Sequence, residues 1–272
     1  MGNLSVHVLC QFLAVVVLVG SRLCLGKYIP ANFVFGDSLV DAGNNNYILS
    51  LSKANFAPNG IDFGQQIGLI GFTPPYLAPT TTGPAILQGV NYASGGGGIL
   101  NYTGNIFRLY DMGARKIIVA NVGPIGCIPF QRDINPSAAA GDGCAVFPNQ
   151  LAQLFNAQLR ALLTQLRADL HQSNFIYADV YRIVHDIIQN YSSYGFDNAN
   201  SACCGVGGRF GSLIPCGPTS KVCEDRSKYV FWDPFHPTDA ANSIIAMHLV
   251  DGDSEDIWPI NIRQLMRSEP LD

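Results

Sequence analysis

Lys116-Ile117-Ile118-Val119-Ala120-Asn121-Val122 is a short, continuous, β-branched apolar run bounded by polar residues and glycine, the pattern of a buried strand. Beyond it the period changes. Leu151, Leu154, Leu159, Leu162, Leu163, Leu166 and Leu170 recur at the spacing of an amphipathic helix from Leu151 to Leu170. Phe175-Ile176-Tyr177-Ala178 then returns to strand character. A strand, a long helix and a second strand make a βαβ unit, whose two strands lie parallel. The chain is therefore expected to be an α/β protein built on a parallel sheet. Toward the N-terminus, Asn32-Phe33-Val34-Phe35 and Val90-Asn91-Tyr92-Ala93 read as two more strands, separated by a proline-rich loop from Phe56 to Pro84. Toward the C-terminus, Tyr181–Gln189 and Asp239–Leu249 read as helices. No linker or internal repeat interrupts this order, so a single domain is expected over residues 27–272.

Composition narrows the function classes. The 272 residues carry 16 Lys and Arg against 20 Asp and Glu, a formal net charge of -4. A nucleic-acid binder needs a basic excess to neutralise phosphates, and this chain has none. Hydrophobic residues make up 48%, too many for a largely disordered chain. Val8 to Gly20 is an apolar run too short and too early for a membrane span, and small residues follow it. It reads as a secretory signal peptide over residues 1–26, cleaved somewhere between Gly20 and Ala31. No later segment approaches transmembrane length. Of the 8 cysteines, Cys10 and Cys24 leave with that leader. Cys127, Cys144, Cys203, Cys204, Cys216 and Cys223 remain, an even number that allows three disulfides in fifteen connectivities. Zinc is the weaker reading, because no paired CxxC repeat or nearby histidine accompanies them. Asn101-Tyr102-Thr103 and Asn190-Tyr191-Ser192 are N-glycosylation acceptors by sequence. Export to the extracellular space or cell wall accounts for all of these features.

Three polar residues could carry chemistry. Ser38 follows Phe35-Gly36-Asp37 at the carboxyl end of the first strand, the sheet edge where α/β sites assemble. Serine needs a base to take its proton, and histidine needs a carboxylate to hold its tautomer. Asp233-Pro234-Phe235-His236-Pro237 can supply both on one stiff loop. The glycines of Ser94-Gly95-Gly96-Gly97-Gly98 free the backbone for close approach, so the N–H groups of Ser38 and Gly95 are candidate donors to an oxyanion. No spacing of a phosphate-binding loop follows them. His171, His185 and His248 lie in or beside helices and read as surface or packing residues. Asp37, Asp41 and the neighbouring asparagines form no convincing metal-ligand set.

These blocks resemble the plant GDSL-type esterase/lipases of the SGNH hydrolase superfamily. Phe35-Gly36-Asp37-Ser38-Leu39 with Val40-Asp41-Ala42-Gly43-Asn44-Asn45 is similar to the family's opening block. Val90-Asn91-Tyr92-Ala93-Ser94-Gly95, Gly123-Pro124-Ile125-Gly126-Cys127-Ile128-Pro129 and Phe231-Trp232-Asp233-Pro234-Phe235-His236-Pro237-Thr238 are similar to later ones. The resemblance runs from about Asn32 to Val250. It implies a three-layer, flavodoxin-like α/β/α fold, with Ser38 as nucleophile, His236 as base and Asp233 as its orienter. It implies an oxyanion hole that includes Gly95, structural disulfides with one between Cys127 and Cys144, and no cofactor. The implied substrate is a small-molecule or lipid ester, drawn from acyl lipids or acylated wall components.

Two departures qualify the match. The family's strand ending in Gly-x-Asn-Asp, whose asparagine completes the oxyanion hole, occurs nowhere in this chain. Asn101, Asn105 and Asn121 lie nearby in sequence, and none has its context. The chain passes straight from Phe107 to Arg108 where that block is expected, and from Gly64 to Gln65 where a glycine- and arginine-containing segment is expected. The domain is thus expected to be internally shortened, to lack a central strand and to have impaired activity. The alternative is a catalytically inactive, secreted lipid- or carbohydrate-binding protein on the same scaffold. Oligomeric state is not legible.

Overall fold

The computed structural model describes residues 31–50, 52–62, 73–95, 113–135 and 143–268. The expected leader, Asn101, Asn105 and the two junctions at Gly64–Gln65 and Phe107–Arg108 lie outside the described residues. In chain order the strands and α-helices are β1 (Lys116–Ala120), α1 (Pro129–Ile134), α2 (Val146–Asp169), β2 (Asn174–Ala178), α3 (Val180–Gln189), β3 (Asn198–Ala202), β4 (Tyr229–Phe231), α4 (Asp239–Asp251), β5 (Ile257–Trp258) and α5 (Ile262–Arg267).

β1 and β2 pair in parallel, from Lys116 with Asn174 to Ala120 with Ala178, across the α2 crossover. α2 begins before the leucine pattern does. Pro148 falls in its first turn, where the missing N–H would have had no partner inside the helix. Leu159, Leu163, Leu166 and Leu170 lie against Phe175 and Tyr177 of β2 and Ile117 and Val119 of β1. On the other face of β2, Ile176 and Ala178 meet Ile257, Leu265 and Ile262. Side chains alternate along a strand, so β2 is sandwiched between α2 on one side and the α4–α5 segment on the other. The result is an α/β architecture in three layers.

Three details differ from the sequence reading. The sheet is mixed, not wholly parallel: its order is β1-β2-β5, and β5 joins β2 antiparallel through Tyr177–Trp258 and Ala178–Ile257. A two-residue strand is too short to leave a periodic signal. β1, read as a buried strand, is an edge strand on which Lys116, Ile118 and Ala120 are exposed, Ile118 by 42%. Among the described residues no strand pairs with its outer edge. The segments expected as strands at 32–35 and 90–93 reduce to a parallel bridge between Val34 and Asn91, with Pro75 bridging Asn91 from the other side.

β3 and β4 form a separate parallel pair that the sequence reading did not anticipate. Together they bring Ala199, Val230 and Phe231 into the core. Ile183, Val184, Ile187 and Ile188 of α3 form the stripe that covers them, with Ala241 of α4. Full burial of each of these isoleucines contributes about 1.5–3 kcal/mol. The Thr238 hydroxyl accepts from Ala241 N (3.2 Å) and donates to Tyr229 O (2.7 Å), which caps α4 and ties its start to β4. Three disulfides join Cys127 to Cys144, Cys203 to Cys223 and Cys204 to Cys216. They close loops of 17, 20 and 12 residues. Loops of that length each contribute about 3 kcal/mol by restricting the unfolded chain.

Candidate active site

Ser38 sits just beyond the Val34–Asn91 bridge. Ser94 N donates to Gly36 O (3.1 Å), and the Asp37 carboxylate accepts from Leu39 N (3.0 Å). The short polar turn made by these bonds lifts Ser38 out of the core, where its side chain is exposed. The other half of the site follows β4. Asp233 Oδ1 accepts the N–H groups of Phe235 and His236, each at 2.8 Å, so the carboxylate shapes the loop that carries the histidine. Trp232 N donates to His236 O (2.9 Å), and Phe130 N of α1 donates to Pro234 O (3.1 Å). The loop is thereby held from inside and from a neighbouring helix.

The three side chains meet across 198 residues of sequence. His236 Nδ1 lies 2.9 and 2.8 Å from the two oxygens of Asp233, and Nε2 lies 2.9 Å from Ser38 Oγ. An ionised carboxylate only accepts, so Nδ1 carries the proton and Nε2 faces the serine with its lone pair. Burial disfavours the imidazolium. The hydrogen bond and charge of Asp233, with the charge of Asp37 added, outweigh it and hold the His236 pKa above its ordinary value. The arrangement is a serine hydroxyl, a base in contact with it, and a carboxylate that stabilises the base once protonated.

The surroundings of Gly95 are less simple than the sequence suggests. Its N–H donates to Asp41 Oδ2 (3.1 Å). The same carboxylate accepts from Gly43 N (2.8 Å) and Asn44 N (2.7 Å). Asn44 and Asn45, both buried, act as struts. The Asn44 amide donates to Asn91 O (2.7 Å) and Ala93 O (2.8 Å), and Asn45 donates to Gly95 O (2.9 Å) and accepts from Ser94 Oγ (2.6 Å). A Cβ at Gly95 would come within 2.7 Å of Asn45 Nδ2, so glycine is required here for space. The sequence reading missed this network. Its signal was the polar run Asp41 to Asn46, with three consecutive asparagines, soon after an apolar segment. Among the described residues the Ser38 N–H has no hydrogen-bond partner.

The other candidates fall into structural places. Asn121 is buried, donates to Tyr177 OH (2.7 Å) and Asp179 Oδ1 (2.8 Å), and accepts from Tyr181 N (2.8 Å), so it is not available to an oxyanion. His248 Nδ1 pairs with Asp256 (2.6 Å), His185 stacks on Tyr181, and His171 is exposed. The six described cysteines are all in disulfides, and no metal-binding cluster occurs among the described residues. Asn190 is exposed at the end of α3, its amide bonded to Asp186 (2.8 Å). Among the described residues no helix is long and apolar enough to cross a membrane.

Comparison with known proteins identifies the family. Residues 97–249 match the family model of the GDSL-like Lipase/Acylhydrolase proteins. The chain is 47% identical over 357 residues to GDSL esterase/lipase At4g16230 of Arabidopsis thaliana, covering 94% of this chain and 96% of the relative. It is 38% identical over 344 residues to GDSL esterase/lipase At2g23540, and 33% identical over 337 residues to GDSL esterase/lipase 7, both of Arabidopsis thaliana. Each covers 88% of this chain, and 88% and 92% of the relatives respectively. These alignments are longer than the 272 residues of the chain, so they contain positions of the relatives with no counterpart here. On the strength of these matches, the chain belongs to the GDSL-type esterase/lipase family of the SGNH hydrolase superfamily, serine hydrolases that act on ester bonds.

Proposed function

We propose that this protein cleaves carboxylic esters, acyl lipids or acylated cell-wall components, through an acyl-enzyme on Ser38. The observation that carries the reading is the unbroken contact from Asp233 through His236 to Ser38, with the Nε2–Oγ distance at 2.9 Å. His236 takes the hydroxyl proton as Ser38 Oγ adds to the ester carbonyl, and Asp233 stabilises the imidazolium. The imidazolium then protonates the leaving alcohol. Water, deprotonated by His236, attacks the acyl-enzyme; the Ser38 Oγ–acyl bond breaks, the imidazolium returns the proton to Ser38 Oγ, and the acid leaves. No step calls for a metal or an organic cofactor.

Turnover is proposed to be slow. Among the described residues nothing bonds the Ser38 N–H, which leaves it to meet the oxyanion, while the Gly95 N–H faces Asp41 and the family's Gly-x-Asn-Asp asparagine is missing. Each donor lost from such a site typically lowers the rate about 10²–10³-fold. The domain is proposed to be internally shortened; among the described residues no strand pairs with the outer edge of β1, and the Val34–Asn91 pairing is an isolated bridge, which supports that. The three disulfides support a protein that works outside the cell, secreted to the extracellular space or wall, since such bonds persist in oxidising compartments. The engagement of Gly95 also favours a second reading, an inactive lipid- or carbohydrate-binding protein on this scaffold. Hydrolysis of a short-chain p-nitrophenyl ester by the purified chain, abolished by Ser38→Ala, is the expected result. Equal release by both chains would rule the enzyme reading out in favour of the second.

A further inference from the structure

Ser38 and the Asp233–His236 loop belong to different parts of the chain. Ser38 lies within residues 31–95, which form the Val34–Asn91–Pro75 ladder and the Asp41–Asn45 network. The acid and base lie on the loop after β4. Few hydrogen bonds join the two segments among the described residues. Besides the Ser38–His236 contact, Trp232 Nε1 donates to Asn59 Oδ1 (3.3 Å), and Arg226 grips Asp62 with two bonds, Nε to Oδ2 at 2.6 Å and Nη2 to Oδ1 at 2.7 Å. This fork-on-fork geometry fixes direction as well as distance, because a planar guanidinium donates two parallel N–H groups to one carboxylate.

The placement of the pair matters more than its strength. Arg226 opens the short turn that leads directly into β4, and β4 leads directly into Trp232 and Asp233. Asp62 closes the turn that begins at Phe56, on the segment that also carries Ser38. The ion pair therefore couples the root of the acid–base strand to the body of the nucleophile segment. Each of its side chains is about a third exposed, at 33% for Asp62 and 32% for Arg226. Exposed pairs of this kind add little to stability. The Arg226 hydrogen bond, helped by its charge and opposed by burial, holds the Asp62 carboxyl below its ordinary pKa, so the pair stays ionised over the neutral range.

We infer that Asp62 and Arg226 are positioning residues for the Ser38 site: their bidentate clamp sets the register between the nucleophile segment and the histidine loop. The inference rests on the proposed role of Ser38. A shift of about 1 Å between reacting groups costs up to about 10²-fold in rate, so a clamp of small energetic weight can have a large effect on chemistry.

The test uses covalent labelling of Ser38 by a fluorophosphonate probe, resolved into a maximal rate and a half-saturating probe concentration, beside a thermal melt. Asp62→Asn is expected to lower the maximal rate at least tenfold, with half-saturation and melting midpoint unchanged. Arg226→Lys keeps the charge, loses the fork and should fall between Asp62→Asn and the unmodified chain. Labelling at the unmodified rate in Asp62→Asn would overturn the inference. So would rates in both variants that fall only in proportion to folded protein, which would make the pair a stability element. Absence of labelling in the unmodified chain, with a cooperative melt, would instead overturn the assignment of Ser38 as an activated nucleophile.

Discussion

Replacing Asp233 by Asn isolates what the carboxylate does. Asp233 has two jobs in the structure. Its Oδ1 accepts the N–H groups of Phe235 and His236, and both oxygens contact His236 Nδ1. Asparagine keeps one oxygen, and the two backbone N–H groups claim it. Its NH₂ then faces Nδ1, and a donor there selects the tautomer whose proton sits on Nε2. Nε2–H cannot accept the Ser38 proton, although the atoms stay within 2.9 Å. Wrong-tautomer variants of such triads lose about 10⁴-fold in rate. That corresponds to about 5 kcal/mol of transition-state stabilisation. The loop keeps its internal bonds, so the melt should move little; in a chain of this size a loss of 1 kcal/mol shifts the midpoint by only about 2–4 °C. Ester hydrolysis and fluorophosphonate labelling, measured beside that melt, check both halves. A variant that works within about tenfold of the parent would refute the assignment of Asp233 as the group that sets the tautomer. A variant that unfolds would show that the carboxylate's shaping of the loop needs its charge.

Other outcomes follow from the same geometry. Because the His236 pKa is raised, labelling of Ser38 should climb with pH through an inflection above the ordinary histidine value. Asp37→Asn, which removes one of the charges holding that proton, should move the inflection down. The contribution to stability runs the other way: it is complete below the unfolded-state pKa and is lost as pH rises through the folded value, as pH-dependent melts will show. Among the described residues the outer edge of β1 has no strand partner, Ile118 is exposed, and Lys116 is occupied, since its Nζ donates to Leu265 O (3.0 Å) and Ser268 O (3.1 Å). Unguarded edges of this kind recruit other strands, so Ile118→Lys should slow concentration-dependent aggregation seen by light scattering. Aggregation at the parental rate would place the sticky surface elsewhere.

The site was legible because its chemistry is local. Asp233, Pro234 and His236 form one stiff loop, and the acid and base were readable together. Ser38 stood out at the end of an apolar segment, which is where a side chain can leave the core. The role of the Asp41–Asn45 run was not legible. Asn44 and Asn45 make bonds to Asn91, Ala93, Ser94 and Gly95, about fifty positions away, and no periodicity encodes such contacts. Gly95 shows the same limit. Its need for space was readable in kind, but the direction of its N–H toward Asp41 is set by how two distant loops meet.

The sequence by itself determined the βαβ unit, the even set of cysteines from Cys127 to Cys223 and the three polar candidates. Each is written in short-range pattern: strand composition, helical leucine spacing, or a motif of a few residues. Only the tertiary structure decided how the last four cysteines pair, that β5 runs antiparallel, and that among the described residues β1 lies at an edge with Ile118 exposed. It also decided that Asp62 and Arg226, 164 residues apart, grip each other between the two halves of the site. An apolar strand has the same composition in the middle of a sheet as at its rim. What separates the two is whether another segment is present to pair with its outer backbone groups, and that is a property of the whole chain in space.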